Sequence, residues 1–253
     1  MSAYADACER KIFITSGQLL STSAPPRTSQ MSLWFGLRLL LLSLLLAASI
    51  RITRGQNPYI SVIAGTGSGG YNGDNIQGTS ATLSQPYAVA VDKTNSNLYI
   101  SSDHRVRRLS LSTGIITTFA GTGTQGSSGD GGAATSASLY YPSGLVLDSS
   151  NDYLYISDLY NYVIRRVKMS TNIISLYAGT YGSSGSVNGA ATSATFFGVR
   201  HIAMDSSNNM YLAETGDSKI RKITYSSSIV STFAGTGSTL YIGDGGLATS
   251  GCP

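Results

Sequence analysis

The chain has 253 residues, of which 42% are hydrophobic and only 12% are charged, so it is too apolar to be intrinsically disordered. Its net charge is +4, but residues 1–49 hold four basic and two acidic side chains, and the nearly neutral remainder excludes a strongly basic nucleic-acid-binding domain. The 2 cysteines, Cys8 and Cys252, are too few for a disulfide framework or a cysteine metal site. Abundant Gly and Tyr favour short strands and turns, which predicts an all-β fold.

An apolar segment near the N-terminus has the features of a secretory leader. Residues 33–50 are apolar except for Arg38, Ser43 and Ser49, and the segment contains the small residues Ala47-Ala48-Ser49, which resemble a cleavage site. Its length also approaches the roughly 20 residues that span a bilayer, so a signal anchor is the alternative to a cleaved signal peptide.

The leader divides the chain into predicted regions. Met31 stands just before the apolar segment, which makes the preceding Ser- and Thr-rich residues an upstream extension. We therefore expect an extension at residues 1–30, a signal peptide or anchor at 31–50, a linker at 51–58 and a repeat domain at 59–253.

The repeat domain is defined by landmarks with one common period. Ala-Gly-Thr begins at residues 64, 120, 178 and 234, and a Leu-Tyr-Ile type of triplet begins at 98, 154 and 210. Both landmarks recur at a period of about 56 residues, which is the signature of a repeat architecture.

Each repeat contains four short apolar runs that are separated by polar turns. In the second repeat these runs are residues 144–148, 153–157, 163–167 and 173–178. Four β-branched or aromatic runs per period predict an antiparallel meander, which is one blade of a β-propeller. Three complete blades are expected at about 86–121, 142–179 and 199–235, preceded by one extra outer strand at 59–64.

The motifs within the repeats resemble those of the NHL repeat family, in the long form typical of teneurin-like and other large extracellular NHL proteins. The repeat positions that carry the resemblance are Asp92, Asp148 and Asp205 after the first strand, Asp158 after the second, and Arg107, Arg165 and Arg221 in the third. Glu214 keeps an acidic residue at the position of Asp158 in the third repeat, whereas Ser102 departs from it in the first. The resemblance implies that three blades are half of a six-bladed propeller.

The arginines of the third strands have two interpretations. Some NHL propellers bind RNA, and a row of guanidinium groups at blade spacing suits a polyanion. Alternatively, each arginine pairs with an acidic residue of the propeller, with Asp158 and Glu214 as the candidates. We favour internal pairing, because a secretory leader takes the chain away from RNA.

A glycine-rich segment between the blades invites a calcium or phosphate interpretation. It reads Gly-Asp-Gly-Gly at 129–132 and again at 243–246, with Gly73-Asp74 in the first repeat. One carboxylate per loop is fewer than calcium sites use, and no phosphate-binding lysine follows. We therefore interpret these loops as turns and expect neither a metal nor a cofactor.

Histidines offer little support for catalysis. His104 and His201 occupy unlike positions in their repeats, so they cannot form a symmetric metal shell. Arg200 and His201 open the strand nearest the channel and are the candidate binding residues at its mouth.

The sequence thus predicts a non-catalytic scaffold, secreted or anchored through 33–50, that binds protein or carbohydrate and no nucleic acid. A metal-dependent propeller lyase or hydrolase is the alternative, which metal analysis of the folded protein tests, and an RNA-binding NHL domain is the second alternative. Three blades cannot close a ring by themselves. Either the chain is a fragment or two chains pair to complete six blades, and light scattering distinguishes these possibilities.

Overall fold

The computed structural model of the chain describes residues 60–239 and 246–249. The predicted leader, the linker and both cysteines lie outside the described residues, as does most of the Gly-Asp-Gly-Gly segment at 243–246. Within the described ranges, the only helices are short 3-10 turns at Gly78–Ser80, Ala134–Ser136 and Leu159–Asn161. No helix in this part of the chain is long and apolar enough to cross a bilayer.

The strands form three antiparallel sheets in chain order. The first sheet contains β1 (Ile76–Gln77), β2 (Pro86–Val91), β3 (Asn97–Ser102), β4 (Arg105–Ser110) and β5 (Ile115–Ala120). The second contains β6 (Pro142–Leu147), β7 (Tyr153–Asp158), β8 (Val163–Lys168) and β9 (Ile173–Gly179). The third contains β10 (Gly189–Ala190), β11 (Val199–Met204), β12 (Met210–Glu214), β13 (Lys219–Thr224) and β14 (Ile229–Ala234).

Each sheet is built on a four-stranded meander, so the predicted fold class is confirmed. We name these meanders blade 1 (β2–β5), blade 2 (β6–β9) and blade 3 (β11–β14). The inner strand β2 lies against β6, and β6 lies against β11, so that successive blades pack face to face.

The short strands β1 and β10 were not expected from the sequence. β1 pairs with β5, the outer strand of the blade that follows it, and β10 pairs in the same way with β14. In blade 2 the equivalent contact is a single bridge between Ala133 and Ile173. The glycine-rich segments therefore run along the outer edge of the next blade, where they cover unpaired backbone groups.

Two apolar clusters fill the spaces between the blades because strand residues alternate between the two faces of a sheet. The cluster between blades 1 and 2 contains Tyr99, Val106, Phe119, Ala120, Leu145, Leu154, Ile156, Val167 and Ile174, together with Ala134, Ala137 and Leu139 from the connecting segment. The cluster between blades 2 and 3 is built from the equivalent positions, which include Tyr155, Ile164, Ile202, Met210, Leu212 and Ile223.

Aspartates close the turn between the first two strands of every blade. Asp92, Asp148 and Asp205 each accept backbone N–H groups from the turn that follows. An asparagine of the same turn reaches the preceding blade: Asn208 Oδ1 accepts the N–H of Ser149 at 2.8 Å. The repeated aspartates thus stabilise turns, and the asparagine joins neighbouring blades.

The predicted outer strand at 59–64 is not present in its described part. Residues 60–64 form no strand, because no described strand lies beside them as a ladder partner, and Tyr59 lies outside the described residues. The outward faces of the first and last sheets are also apolar and open: Val89 is 61% exposed, whereas its blade 2 counterpart Leu145 is 6% exposed. Pairing of two chains through such faces stays a prediction.

Candidate functional site

The third-strand arginines lie inside the protein rather than on a surface. Arg107, Arg165 and Arg221 have relative exposures of 2%, 0% and 0%. Of the two candidate partners named from the sequence, Glu214 lies 3.0 Å from Arg221, and Asp158 lies 3.7 Å from Arg165. Buried guanidinium groups do not offer their charge to a polyanion, so these residues do not form the electrostatic surface that RNA binding needs.

The glycine-rich segments supply a further partner that sequence reasoning missed. Asp130 accepts hydrogen bonds from Nε and Nη2 of Arg165, at 3.1 and 2.8 Å, and Asp74 accepts one from Arg107 at 3.0 Å. In blade 3 the amide oxygen of Asn188 replaces the carboxylate and lies 2.7 Å from Arg221. The loop aspartate is therefore an arginine partner, and its recurrence one loop before each arginine is the signal that indicates it.

Burial shapes the ionisation of the strand-end carboxylates. Burial raises the pKa of Asp158 to about 6, although Asn161, the N–H of Tyr140 and Arg165 act in the opposite direction. Burial also raises the pKa of Glu214. Because both carboxylates are fully buried and hydrogen-bonded, they contribute to the structure rather than to a solvent-exposed acid or base site.

A patch of aromatic side chains lies where blades 1 and 2 meet. We call this set the tyrosine patch, and it consists of Tyr87, His104, Tyr140, Tyr141 and Tyr160. The ring centroids of Tyr141 and Tyr160 are 5.3 Å apart, and those of Tyr140 and Tyr160 are 5.0 Å apart. Tyr87 and Tyr160 are 40% and 47% exposed, so the patch faces solvent.

The backbone holds the tyrosine patch in one arrangement. Tyr141 has a left-handed backbone with a φ of 54°, which is uncommon for a bulky residue. Its N–H donates to Nδ1 of His104 at 3.3 Å, and its carbonyl accepts the N–H of Leu159 at 3.3 Å. The same left-handed backbone recurs at Gln85 and Gly198, the equivalent positions of the other blades, so it is a feature of the repeat that holds a tyrosine in blade 2.

The ring of His104 packs against the next blade, whereas the sequence indicated only a residue in a shortened turn. His104 belongs to the two-residue turn between β3 and β4, yet its ring contacts Tyr140 and Tyr141 of the next blade. Because Nδ1 accepts a hydrogen bond, the imidazole proton is assigned to Nε2, which faces Asp103 at 3.8 Å.

The predicted channel-mouth residues lie on the inner strand of blade 3. Arg200 and His201 are both exposed on β11, at the position where its register with β12 shifts. Within the described residues, neither side chain forms a hydrogen bond or an ion pair. Their role in binding stays a prediction.

In residues 60–239 and 246–249, no three His, Cys, Asp or Glu side chains are grouped closely enough to hold a metal ion.

The sequence did not predict the tyrosine patch. The tyrosines at 140, 141 and 160 nevertheless distinguish the second repeat from the other two.

Comparisons with known proteins give two curated relatives of moderate sequence identity. The chain is 27% identical over 192 residues to Protein SUPPRESSOR OF QUENCHING 1, chloroplastic, of Arabidopsis thaliana, covering 72% of this chain and 18% of that protein. It is 29% identical over 102 residues to NHL repeat-containing protein 2 of Bos taurus, covering 40% and 14%. The chain thus spans less than a fifth of the length of these curated relatives.

Solved structures support the fold. A crystal structure of a Bacteroides thetaiotaomicron protein has 19% sequence identity and a TM-score of 0.50, covering 61% of this chain and 36% of that one. The family model described as the Teneurin NHL domain matches residues 53–240, which include all three blades. From this match and the repeated blade motifs, the chain belongs to the teneurin NHL domain family.

Proposed function

We propose that this chain is a non-catalytic NHL propeller that binds a protein or carbohydrate ligand on the extracytoplasmic side of a membrane. The tyrosine patch is the observation that carries the proposal. A leader at 31–50, read from the sequence, supports the location, either by cleavage or by anchoring through 33–50. A second copy of the chain, completing a six-bladed ring, is the further partner that the open blade faces favour.

The chemistry of the tyrosine patch suits binding better than catalysis. Tyrosine supplies a large contact area with little loss of side-chain freedom, and it is enriched at the energetic centres of interfaces. Asp103 precedes His104 and places a carboxylate at the edge of the patch, 3.8 Å from Nε2 of the histidine. A fixed backbone lowers the entropy cost of binding, which supports Tyr141 as an organising residue.

Substitution of Tyr160 by alanine tests the patch. Screening the wild-type protein against arrays of extracellular protein domains and of glycans supplies a ligand whose affinity is then measured. We expect Tyr160→Ala to weaken that affinity at least about tenfold, because a central interface tyrosine contributes about 2 kcal/mol. The midpoint of thermal unfolding should change little, since the side chain is half exposed.

Tyr225→Ala is the matched control. Tyr225 is 52% exposed and follows β13, away from the patch. Equal binding losses in both variants, or no loss in Tyr160→Ala, would contradict a binding role for the patch.

The leader is tested by expression in a secreting host. We expect the exported protein to begin shortly after Ser49 if the signal peptide is cleaved, or to remain in the membrane fraction with its repeat domain outside. Leu41→Arg together with Leu44→Arg should block export, because charges disrupt the apolar segment. The control Leu20→Arg lies in the predicted extension and should leave export unchanged; export that survives the double substitution would rule the leader out.

A further inference from the structure

The end of the second strand carries a buried carboxylate in blades 2 and 3. Asp158 and Glu214 pair in register with Pro142 and Val199, the first residues of the inner strands. Each carboxylate accepts a backbone N–H just before that inner strand: Tyr140 donates to Asp158 at 2.6 Å, and Phe197 donates to Glu214 at 2.7 Å. The carboxylate thus joins the buried arginine to the start of its own blade.

Blade 1 has the same backbone without the carboxylate. Ser102 pairs in register with Pro86, the first residue of β2, so it occupies the position of Asp158 and Glu214. Ser84 occupies the position of Tyr140, because its carbonyl accepts the N–H of Asp103 from the turn after the second strand. Among the described residues, the N–H of Ser84 has no hydrogen-bond partner.

The buried arginine of blade 1 is correspondingly less well paired. Arg107 donates through Nη2 only, to the carbonyl of Gly73 and to Asp74, at 2.7 and 3.0 Å. Its Nε has no partner within the described part of the chain; the same is true of Nε of Arg221, so the smaller number of bonds from Nη1 and Nη2 is what sets Arg107 apart. Burial lowers the pKa of Arg107, and Asp74 only partly opposes this effect. Arg165, by contrast, has carboxylates on both sides.

The number of charges alone does not define a site, because Arg221 also has a single carboxylate partner. The decisive feature is the set of donors. In blades 2 and 3 an arginine and a backbone N–H converge on one carboxylate, whereas in blade 1 both donors are retained and the acceptor is absent. Ser102 is too short to replace it, and its hydroxyl donates to the carbonyl of Ser84 instead.

A groove is lined by chain neighbours of Ser84. The groove has a volume of about 480 Å³, and Leu83 and Pro86, which flank Ser84 in the chain, both line it. The remaining lining comes from Val62 and residues 64–68. Residues 60–64 form no strand, so they are not held in place by a sheet ladder.

We propose that blade 1 contains a binding site for a ligand carboxylate beside Ser102, with Arg107 and the N–H of Ser84 as its donors. The ligand group takes the position that Asp158 and Glu214 occupy in the other blades. A monoanionic carboxylate fits better than a phosphate dianion, because Asp74 already contacts Arg107 and repels additional negative charge. The carboxylate belongs either to a small organic acid or to an acidic side chain of a protein partner.

Formate, the smallest carboxylate, is the probe for the site. We expect replacement of sodium chloride by sodium formate at constant ionic strength to raise the thermal unfolding midpoint of the wild-type protein by about 3 °C at a saturating concentration. Ser102→Asp supplies the carboxylate covalently, so this variant should unfold at a higher temperature in chloride and should lose the additional response to formate. Its residual shift measures the general effect of formate on protein stability.

A second variant keeps the test independent of the folding of Ser102→Asp. Asp158→Ser reproduces in blade 2 the arrangement of blade 1, so its unfolding midpoint should rise more steeply with formate than that of the wild type. An identical formate response in the wild type and Ser102→Asp, or no added response in Asp158→Ser, would overturn the proposal.

Two further ligands distinguish the sources of the carboxylate. Acetate represents small organic acids, and a short amidated peptide with one internal glutamate represents a protein partner, with the glutamine peptide as its control. Calorimetric binding of acetate alone assigns the site to a small acid, and binding of the glutamate peptide but not the glutamine peptide assigns it to a protein. Failure of both ligands to bind the wild-type protein would contradict the site while leaving the tyrosine patch untouched.

Discussion

Replacement of Arg165 by alanine is expected to lower the free energy of unfolding by about 4 kcal/mol, because it removes one partner of a buried ion pair. The guanidinium is fully buried between blade 2 and the preceding loop. It donates to Asp130 at 2.8 Å and to the carbonyls of Ser138 and Ser128 at 2.8 and 3.1 Å. Alanine would leave these acceptors, and the buried Asp158, without their donor. Urea denaturation followed by circular dichroism measures the loss.

The adjacent residue provides the control. Arg166 lies on the opposite face of β8, where its guanidinium is 4.7 Å from the ring centroid of Tyr153. We expect Arg166→Ala to cost only about 1 kcal/mol, which is the size of a partly exposed cation–π contact. Comparable losses for the two variants would show that Arg165 is not a special structural residue.

The stability of the protein should fall as the pH rises from about 4 to about 6. Burial raises the pKa of Asp158 to about 6, so the folded protein holds this proton more tightly than the unfolded chain does. In that window the native state binds more protons, and raising the pH therefore removes up to about 3 kcal/mol of stability. The burial of Glu214 acts in the same direction.

Asp158→Asn should reduce this pH dependence, because an amide does not titrate in the window. The comparison is made between unfolding free energies of the two proteins at several pH values from 4 to 8. Asp205 provides the contrast. Hydrogen bonds, led by that from the Asn209 side chain, lower its pKa, so its contribution to the free energy of unfolding is lost as the pH falls rather than as it rises. Parallel profiles for the wild type and Asp158→Asn would refute the assignment.

The blades could be predicted because their information is local. Each blade is a meander of neighbouring strands, and the period of the apolar runs places every strand without knowledge of the other blades. The pairing of Arg221 with Glu214 has the same origin, since these residues are seven positions apart on adjacent strands. Turn aspartates such as Asp205 act within four residues, so the sequence motif also contains their role.

Contacts between separate segments were decided by the tertiary structure alone. Asp130 lies 35 positions before Arg165, and only the path of the glycine-rich loop along the next blade brings them together. The tyrosine patch likewise needs the turn at His104 to meet Tyr141, 37 positions later. By itself the sequence determined the repeat, its strands and its turns, because these depend on local periodicity. The packing of one blade against another decided which loop residues meet, because no local pattern specifies the path of a loop.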